Sequence, residues 1–279
     1  MTAADNRSAP SGDRWAVVLG ASTGTGAAIA RRVAEDPGLH VFGVHRGHYR
    51  ELATDLEHAI QGFGRRAILH VGDAGLPDQL PTCIAALRQA ASPRSVALLV
   101  HSLSGASLGH FLSARNDAFH PRQFEKTFNY LAHSFAYWAQ ALYENDLLAT
   151  NARLFGLTNV LHESLLHNCG LVAAAKAALE MYVRHLAMEL GPLGHRVNLL
   201  KFGTVVTPAL RTVLGEDAMR RLEDAHREMI PAGRMCTLAE VAQFVSLLLR
   251  DEAAWLNGAT IDFTGGMTLR LLDLILRPD

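Results

Sequence analysis

Cysteine is scarce in this 279-residue chain. Cys83, Cys169 and Cys236 lie far apart, with neither metal-ligand spacing nor the density of a disulfide framework, so a reducing compartment is the simpler reading. No run of five like charges occurs and the formal net charge is −1. That removes the electrostatic footprint expected of a nucleic-acid or anionic-membrane partner. No apolar run is long enough to span a bilayer. The first one, from Trp15, is also too short for a signal-peptide core. The expectation is a soluble cytoplasmic protein. Linkers rich in Pro, Gly or Ser and internal repeats are both lacking, which predicts a single domain over 14–279 behind a polar, disordered tail at 1–13. HESLLH (162–167) spaces its histidines five apart, one too many for two ligands on one helix face, so no metal is expected. The fourteen histidines are scattered.

What the chain does contain is a series of short apolar runs. WAVVLG (15–20), HVFGVHR (40–46), RAILHVGD (66–73), SVALLVHSL (95–103), ARLFGLTN (152–159), HRVNLLKFG (195–203) and GATIDFTGG (258–266) read as strands. Between them lie segments such as AAIARRVAED and VAQFVSLLLRD, with apolar residues at three- and four-residue spacing. Continuous apolar strands alternating with helices predict an α/β fold, a doubly wound parallel sheet of about seven strands with helices on both faces.

The first strand runs into GASTGTGAAIA. Gly20, Gly24 and Gly26 end the strand, turn the chain and open a helix, in the context a dinucleotide pyrophosphate requires. Ser22 and Thr23 add hydroxyls beside it.

The spacing Gly-x-x-x-Gly-x-Gly resembles the short-chain dehydrogenase/reductase family, and the likeness extends from about Trp15 to Gly266. HSLSG (101–105), LGPLGHRVN (190–198), IPAGRMCTLAEVA (230–242) and NGATIDFTGG (257–266) match family landmarks. The resemblance implies that Asp73 holds the adenine edge. It also implies that the backbone of FGTVVTPAL (202–210) clasps the nicotinamide amide, with Val205 and Thr207 at the contact positions. Ser102, Ser104 and His101, at the end of the fourth strand, are expected at the cofactor and substrate mouth, although a strand residue such as His101 equally packs in a core. The second strand ends VHRGHYR, with Arg46 where an acidic residue would accept bonds from a free ribose hydroxyl and no carboxylate before Glu51. Arg46, with Arg50 nearby, favours a 2′-phosphate and therefore NADPH over NADH; the alternative is an arginine that only caps the strand in solvent.

HNCGLVAAAKAALE (167–180) holds one cation, Lys176. By resemblance this lysine binds the nicotinamide ribose. In most of the family the residue four before it is the tyrosine that protonates substrate; here that residue is Val172. VHSL (100–103) leans toward the enoyl-acyl-carrier-protein reductase branch, where the tyrosine lies seven before the lysine and a second lies ten further back; these positions are Cys169 and Asn159. Leu131 replaces the usual family asparagine, and Thr158 and Asn159 stand near the place of the usual serine. The tyrosines are Tyr49, Tyr130, Tyr137, Tyr143 and Tyr182, none related to Lys176 by local geometry, and Tyr130 stays open. The competing reading of Lys176 is a surface lysine paired with Glu180.

Candidate replacements for the tyrosine are Asn159, an amide donor without a proton to give, the Cys169 thiol, and His167 or His162. Cys169 also fits a small buried side chain at a helix start. Residues 204–235 are expected to form a substrate lid whose amphipathic helix suits an apolar small-molecule substrate or permanent packing on the core. Residues 267–279 are expected to form a C-terminal helix, and helices at 122–143 and 173–190 to pair in a homodimer or homotetramer. Three functions remain open. The first is an NADPH-dependent reductase of a carbonyl or enoyl substrate, thioester-linked or polyketide-like, with a non-tyrosine donor. The second is a silent nucleotide-binding protein or partner subunit. The third is a lyase, isomerase or cyclase on the same fold.

Overall fold

The computed structural model describes residues 13–113, 118–163 and 165–269. Residues 1–12 of the expected tail at 1–13 and most of the expected C-terminal helix, 270–279, lie outside the described residues; Asp13 is ordered, accepting from Trp15 Nε1 at 2.7 Å, and 267–269 form a turn.

Seven parallel strands form one sheet: β1 (Trp15–Leu19), β2 (His40–His45), β3 (Ala67–Val71), β4 (Val96–His101), β5 (Leu148–Thr158), β6 (Arg196–Phe202) and β7 (Thr260–Phe263), in the order β3-β2-β1-β4-β5-β6-β7. The alternation of side chains along each strand divides the core into two layers. From β1, Trp15, Val17 and Leu19 enter a layer with α3 (Leu80–Ala90), α5 (Ser134–Glu144) and α6 (Gly170–Leu190). Ala16 and Val18 enter the opposite layer with α1 (Gly24–Glu35), α2 (Arg50–Gly62) and α8 (Leu238–Leu247). All five β1 residues are fully buried, and each large aliphatic of this kind contributes roughly 1.5–3 kcal/mol by leaving water.

Strand order reverses between β1 and β4, so a crevice opens above their C-terminal ends, where open α/β sheets bind ligands. Two features depart from the sequence reading. β5 starts at Leu148 rather than at 152, because Val96 pairs with Leu148 and Leu98 already with Arg153. The extra residues bulge outward through Asn151, whose φ is 58°. The helical segment expected at 122–143 is not uniform: α4 (Pro121–Phe128) and α5 are joined by one wide π-helical turn, Asn129–His133. Such turns rotate the side chains that follow and recur at functional sites.

Candidate functional site

The glycine loop is locked between strands. Gly20 N–H donates to the Val44 carbonyl (2.9 Å) and Ser102 N–H to that of Leu19 (3.0 Å). Gly20 has φ +84°, and a Cβ there would strike the Ser102 carbonyl, while one at Gly26 would strike the carbonyl of Gly20. Thr23 caps α1 in an extended conformation but makes no side-chain cap bond, and the first turn has no acidic residue. By contrast Thr237 and Glu240 form a full capping box on α8, and the Thr207 hydroxyl accepts from Leu210 N–H at the start of α7 (Pro208–Met229). The open amides and positive end of α1 therefore fit an anion such as a pyrophosphate. Ser22 is half-buried beside them. Thr207 also reaches the loop, since a Cβ on Gly24 would lie 3.3 Å from its methyl. Val205 is held nearby by a bridge to Cys236.

At the other end of the crevice Arg46 is exposed, its guanidinium 5.6 Å from the centre of the Tyr130 ring. The Tyr130 hydroxyl donates to Asp73 Oδ2, and Asp73 Oδ1 accepts from Gly75 N–H (3.0 Å). Tyr130, open in the sequence, is thus placed at Asp73. Burial, then the bond to Asp73, pushes its phenol above the usual tyrosine value, so it stays protonated and donating.

Lys176 is buried on α6 and its ammonium donates to the Leu157 carbonyl at 2.6 Å. It does not pair with Glu180, which accepts from Arg184 (2.6 Å) and Thr260 (3.0 Å). Burial pulls Lys176 down to about 8. His101 departs from the expected cofactor contact. The β4 alternation turns its ring into the core against Phe135, fully buried, with Nε2 2.8 Å from Ser134 Oγ. Ser134 donates to the Tyr130 carbonyl (3.4 Å), so Nε2 carries the ring proton and Nδ1 is a buried acceptor without a partner among the described residues. Burial, with Lys176 adding to it, holds this imidazole neutral, at about 3.

Three of the positions expected from the sequence to be substituted, Leu131, Cys169 and Val172, meet in space, whereas Asn159 is not part of their cluster. Leu131, Cys169, Val172 and Ala175 form one small apolar cluster, flanked by Ala106, Phe128 and Leu161. Cys169 is 7% exposed, its thiol is raised by burial, and Sγ reaches only Asn168 Oδ1 at 3.4 Å. Asn159 Oδ1 accepts from Leu161 N–H (3.0 Å), a local turn that leaves its amide hydrogens without a described partner. His167 is exposed beside His110, ring centres 4.9 Å apart. His162 falls in the short turn Val160–His162; its side chain lies outside the description. Among the other tyrosines, Tyr182 bonds His133 (3.0 Å), Tyr137 packs near the same ring, and Tyr49 and Tyr143 are exposed.

In the expected lid, α7 is kinked at Gly215, and of its described side chains only Met219 and His226 are buried. His226 bonds the Thr204 hydroxyl at 2.9 Å, pinning the helix to the end of β6. The sequence reading missed Lys201. Its ammonium, buried on β6, bonds Glu163 (2.7 Å) and Asp262 (2.9 Å). A lone lysine inside the apolar run VNLLKF was the available signal. Among the described residues no helix is long and apolar enough to cross a membrane.

A family model described as "Enoyl-(Acyl carrier protein) reductase" matches residues 20–268. The chain is 37% identical over 101 residues to the dehydrogenase OXI1 of Cochliobolus heterostrophus, covering 36% of this chain and 44% of that protein. It is 39% identical over 99 residues to the 3-oxoacyl-(acyl-carrier-protein) reductase FabG of Pseudomonas aeruginosa, covering 34% and 36%. In both cases the match spans less than half of the relative's length. A short-chain dehydrogenase of Burkholderia cenocepacia, solved in complex with NADP, superposes with a TM-score of 0.76 at 27% identity, covering 92% of this chain and 98% of that one.

Proposed function

Because the chain belongs to the short-chain dehydrogenase/reductase family, we propose that it is an NADPH-dependent reductase of a carbonyl or enoyl group whose proton donor is not a tyrosine. The carrying observation is Lys176: a buried ammonium with one carbonyl partner and no carboxylate, on the same edge of the sheet as the uncapped α1. That arrangement suits a ligand bearing hydroxyls and an anion. The Burkholderia relative was solved with NADP, and the FabG relative is named for an acyl-carrier substrate.

Bound NADPH supplies the hydride. In this reading α1 receives the pyrophosphate, Arg46 the 2′-phosphate and Lys176 the ribose hydroxyls, and the segment around Val205 and Thr207 holds the amide. Negative charge on the substrate oxygen then needs a donor. Asn159 is the candidate with free amide hydrogens, and water delivers the proton afterwards. Cys169 sits in the apolar cluster with its thiol raised, and exposed His167 has no fixed direction. The apolar cluster at 131, 169 and 172 fits an acyl or polyketide-like chain rather than a sugar.

One second reading has an observation behind it. The same cluster fills the donor positions with apolar groups, as a cofactor-binding member without redox chemistry would. Incubation with NADPH and a panel of enoyl thioesters, enones and ketones separates the two. Turnover that drops at least about tenfold in Asn159→Ala, the scale of one oxyanion donor or less, supports the reductase. Tight NADPH binding with no turnover across the panel favours the silent reading.

A further inference from the structure

Three segments converge on Tyr130. The end of β2 brings Arg46 over its ring, the turn after β3 brings Asp73 to its hydroxyl, and Gly75 and Gly105 leave room for the ring between them. A Cβ on Gly75 would stand 2.7 Å from the ring, and one on Gly105 2.5 Å, so any other residue at either place would displace it. The wide turn Asn129–His133 delivers Tyr130 to this slot and, one residue later, Leu131 to the apolar cluster. The ring is 7% exposed, whereas Arg46 is exposed and makes no ion pair to another described residue.

We propose that Tyr130 is a specificity-determining residue that holds Arg46 available for the cofactor's 2′-phosphate by keeping Asp73 from pairing with it. The inference rests on the NADPH reading above and deepens it. An exposed arginine close to a carboxylate ordinarily forms a bidentate pair, which would draw the guanidinium away from a phosphate. The phenol donates to Asp73 Oδ2, and Oδ1 is already bonded to Gly75 N–H, so the oxygens face protein donors instead of Arg46. The ring face meanwhile limits the conformations of Arg46 and lowers the ordering cost of meeting phosphate. The raised phenol keeps its proton throughout the neutral range.

The test is calorimetric binding of NADPH and NADH, and of adenosine 2′,5′-bisphosphate and AMP, to the full chain; no substrate is needed. Wild-type protein binds the 2′-phosphorylated member of each pair more tightly. Tyr130→Phe keeps the ring, frees Asp73 and lowers that preference about fivefold, the scale of one ordinary hydrogen bond, while affinity for AMP stays within about twofold. Adding Asp73→Asn to Tyr130→Phe restores the preference ratio, although adenine binding weakens for both ligands alike. In an Arg46→Ala background Tyr130→Phe leaves the ratio unchanged, and this exposed substitution keeps the test independent of any loss of packing at Tyr130. An unaltered ratio in Tyr130→Phe, or no recovery with Asp73→Asn, overturns the inference alone. Equal binding of both ligands by the wild-type protein overturns the cofactor reading, and this inference falls with it.

Discussion

Two of the three lysines in the chain are buried near the same edge of the sheet, and they are treated oppositely. Lys201 stands on β6 opposite Thr158 of β5, and Lys176 bonds the carbonyl of Leu157, one residue earlier on that strand. Burial pulls the Lys201 ammonium down, but its bonds to Glu163 and Asp262 outweigh that and leave it above the ordinary value. Nothing offsets burial at Lys176, which falls to about 8. A buried cation without a counter-charge costs several kcal/mol, and a well-packed apolar side chain would ordinarily be more stable there. The chain therefore completes one lysine site with its own carboxylates and leaves its neighbour incomplete. On the proposed function, the incomplete one is where the cofactor contributes.

Replacing Lys176 gives the largest expected effect. On the proposed function Lys176→Met removes charged hydrogen bonds to ribose hydroxyls, each worth about 1.5–3 kcal/mol, so NADPH affinity falls about tenfold to a hundredfold. The same change removes an unpaired buried charge, so the melting temperature of the ligand-free protein holds or rises. Calorimetry and thermal melts on one preparation check both halves. A Lys176→Met protein that binds NADPH normally, or that melts well below wild type, breaks the contrast.

The contrast was half legible in the sequence. Lys176 stood out because alanines surround it and because the glycine loop, Arg46 and the later landmarks set its register. Those signals are local: a turn that needs glycine, a strand that ends in arginine, a helix whose spacing names its own neighbours. The strand and helix order followed from the same periodicities, and only β5 ran longer, through a bulge that apolar patterning does not mark. What stayed hidden depends on contacts distant in the chain. Glu163 and Asp262 approach Lys201 from elements 38 and 61 residues away, so VNLLKF alone showed only an odd lysine. Tyr130 was unplaceable because a π-helical turn, invisible to a 3.6-residue count, redirects it toward Asp73. For His101 the sequence leaves the cofactor mouth and the core both open, and strand alternation turns it into the core.

Lys201→Met sharpens the comparison from the other side, with a smaller effect. It leaves Glu163 and Asp262 facing an apolar end without their shared cation. Their side chains are 38% and 49% exposed, so water relieves much of the strain. The expected loss is about 1–2 kcal/mol, below that of a fully buried pair, and lowers the melting temperature by several degrees. NADPH affinity stays within about twofold, since the cation removed is already satisfied by the protein. A melting temperature unchanged in Lys201→Met, or a loss of NADPH binding equal to that of Lys176→Met, would mean the two lysines are not differently employed.

The smallest effect is a dependence on pH that only one lysine should produce. The folded value of Lys176 is about 8, against an ordinary 10.5. Between these values the unfolded chain holds the extra proton, so this group's contribution to ligand-free stability rises with pH across that window. Ligand binding runs the other way. If the ammonium is the form that grips the ribose, NADPH affinity weakens as pH climbs past about 8, by at most about tenfold per unit. Lys201, raised above its ordinary value by its carboxylates, contributes stability that is fully present below the unfolded value and is lost only as pH passes the higher folded one, so it is silent over the same range. Titrating NADPH from pH 7 to about 9.5 in wild type, Lys201→Met and Lys176→Met isolates the effect. The first two weaken together and the third stays flat, because the deprotonating group that the cofactor senses is the one the chain left without a carboxylate.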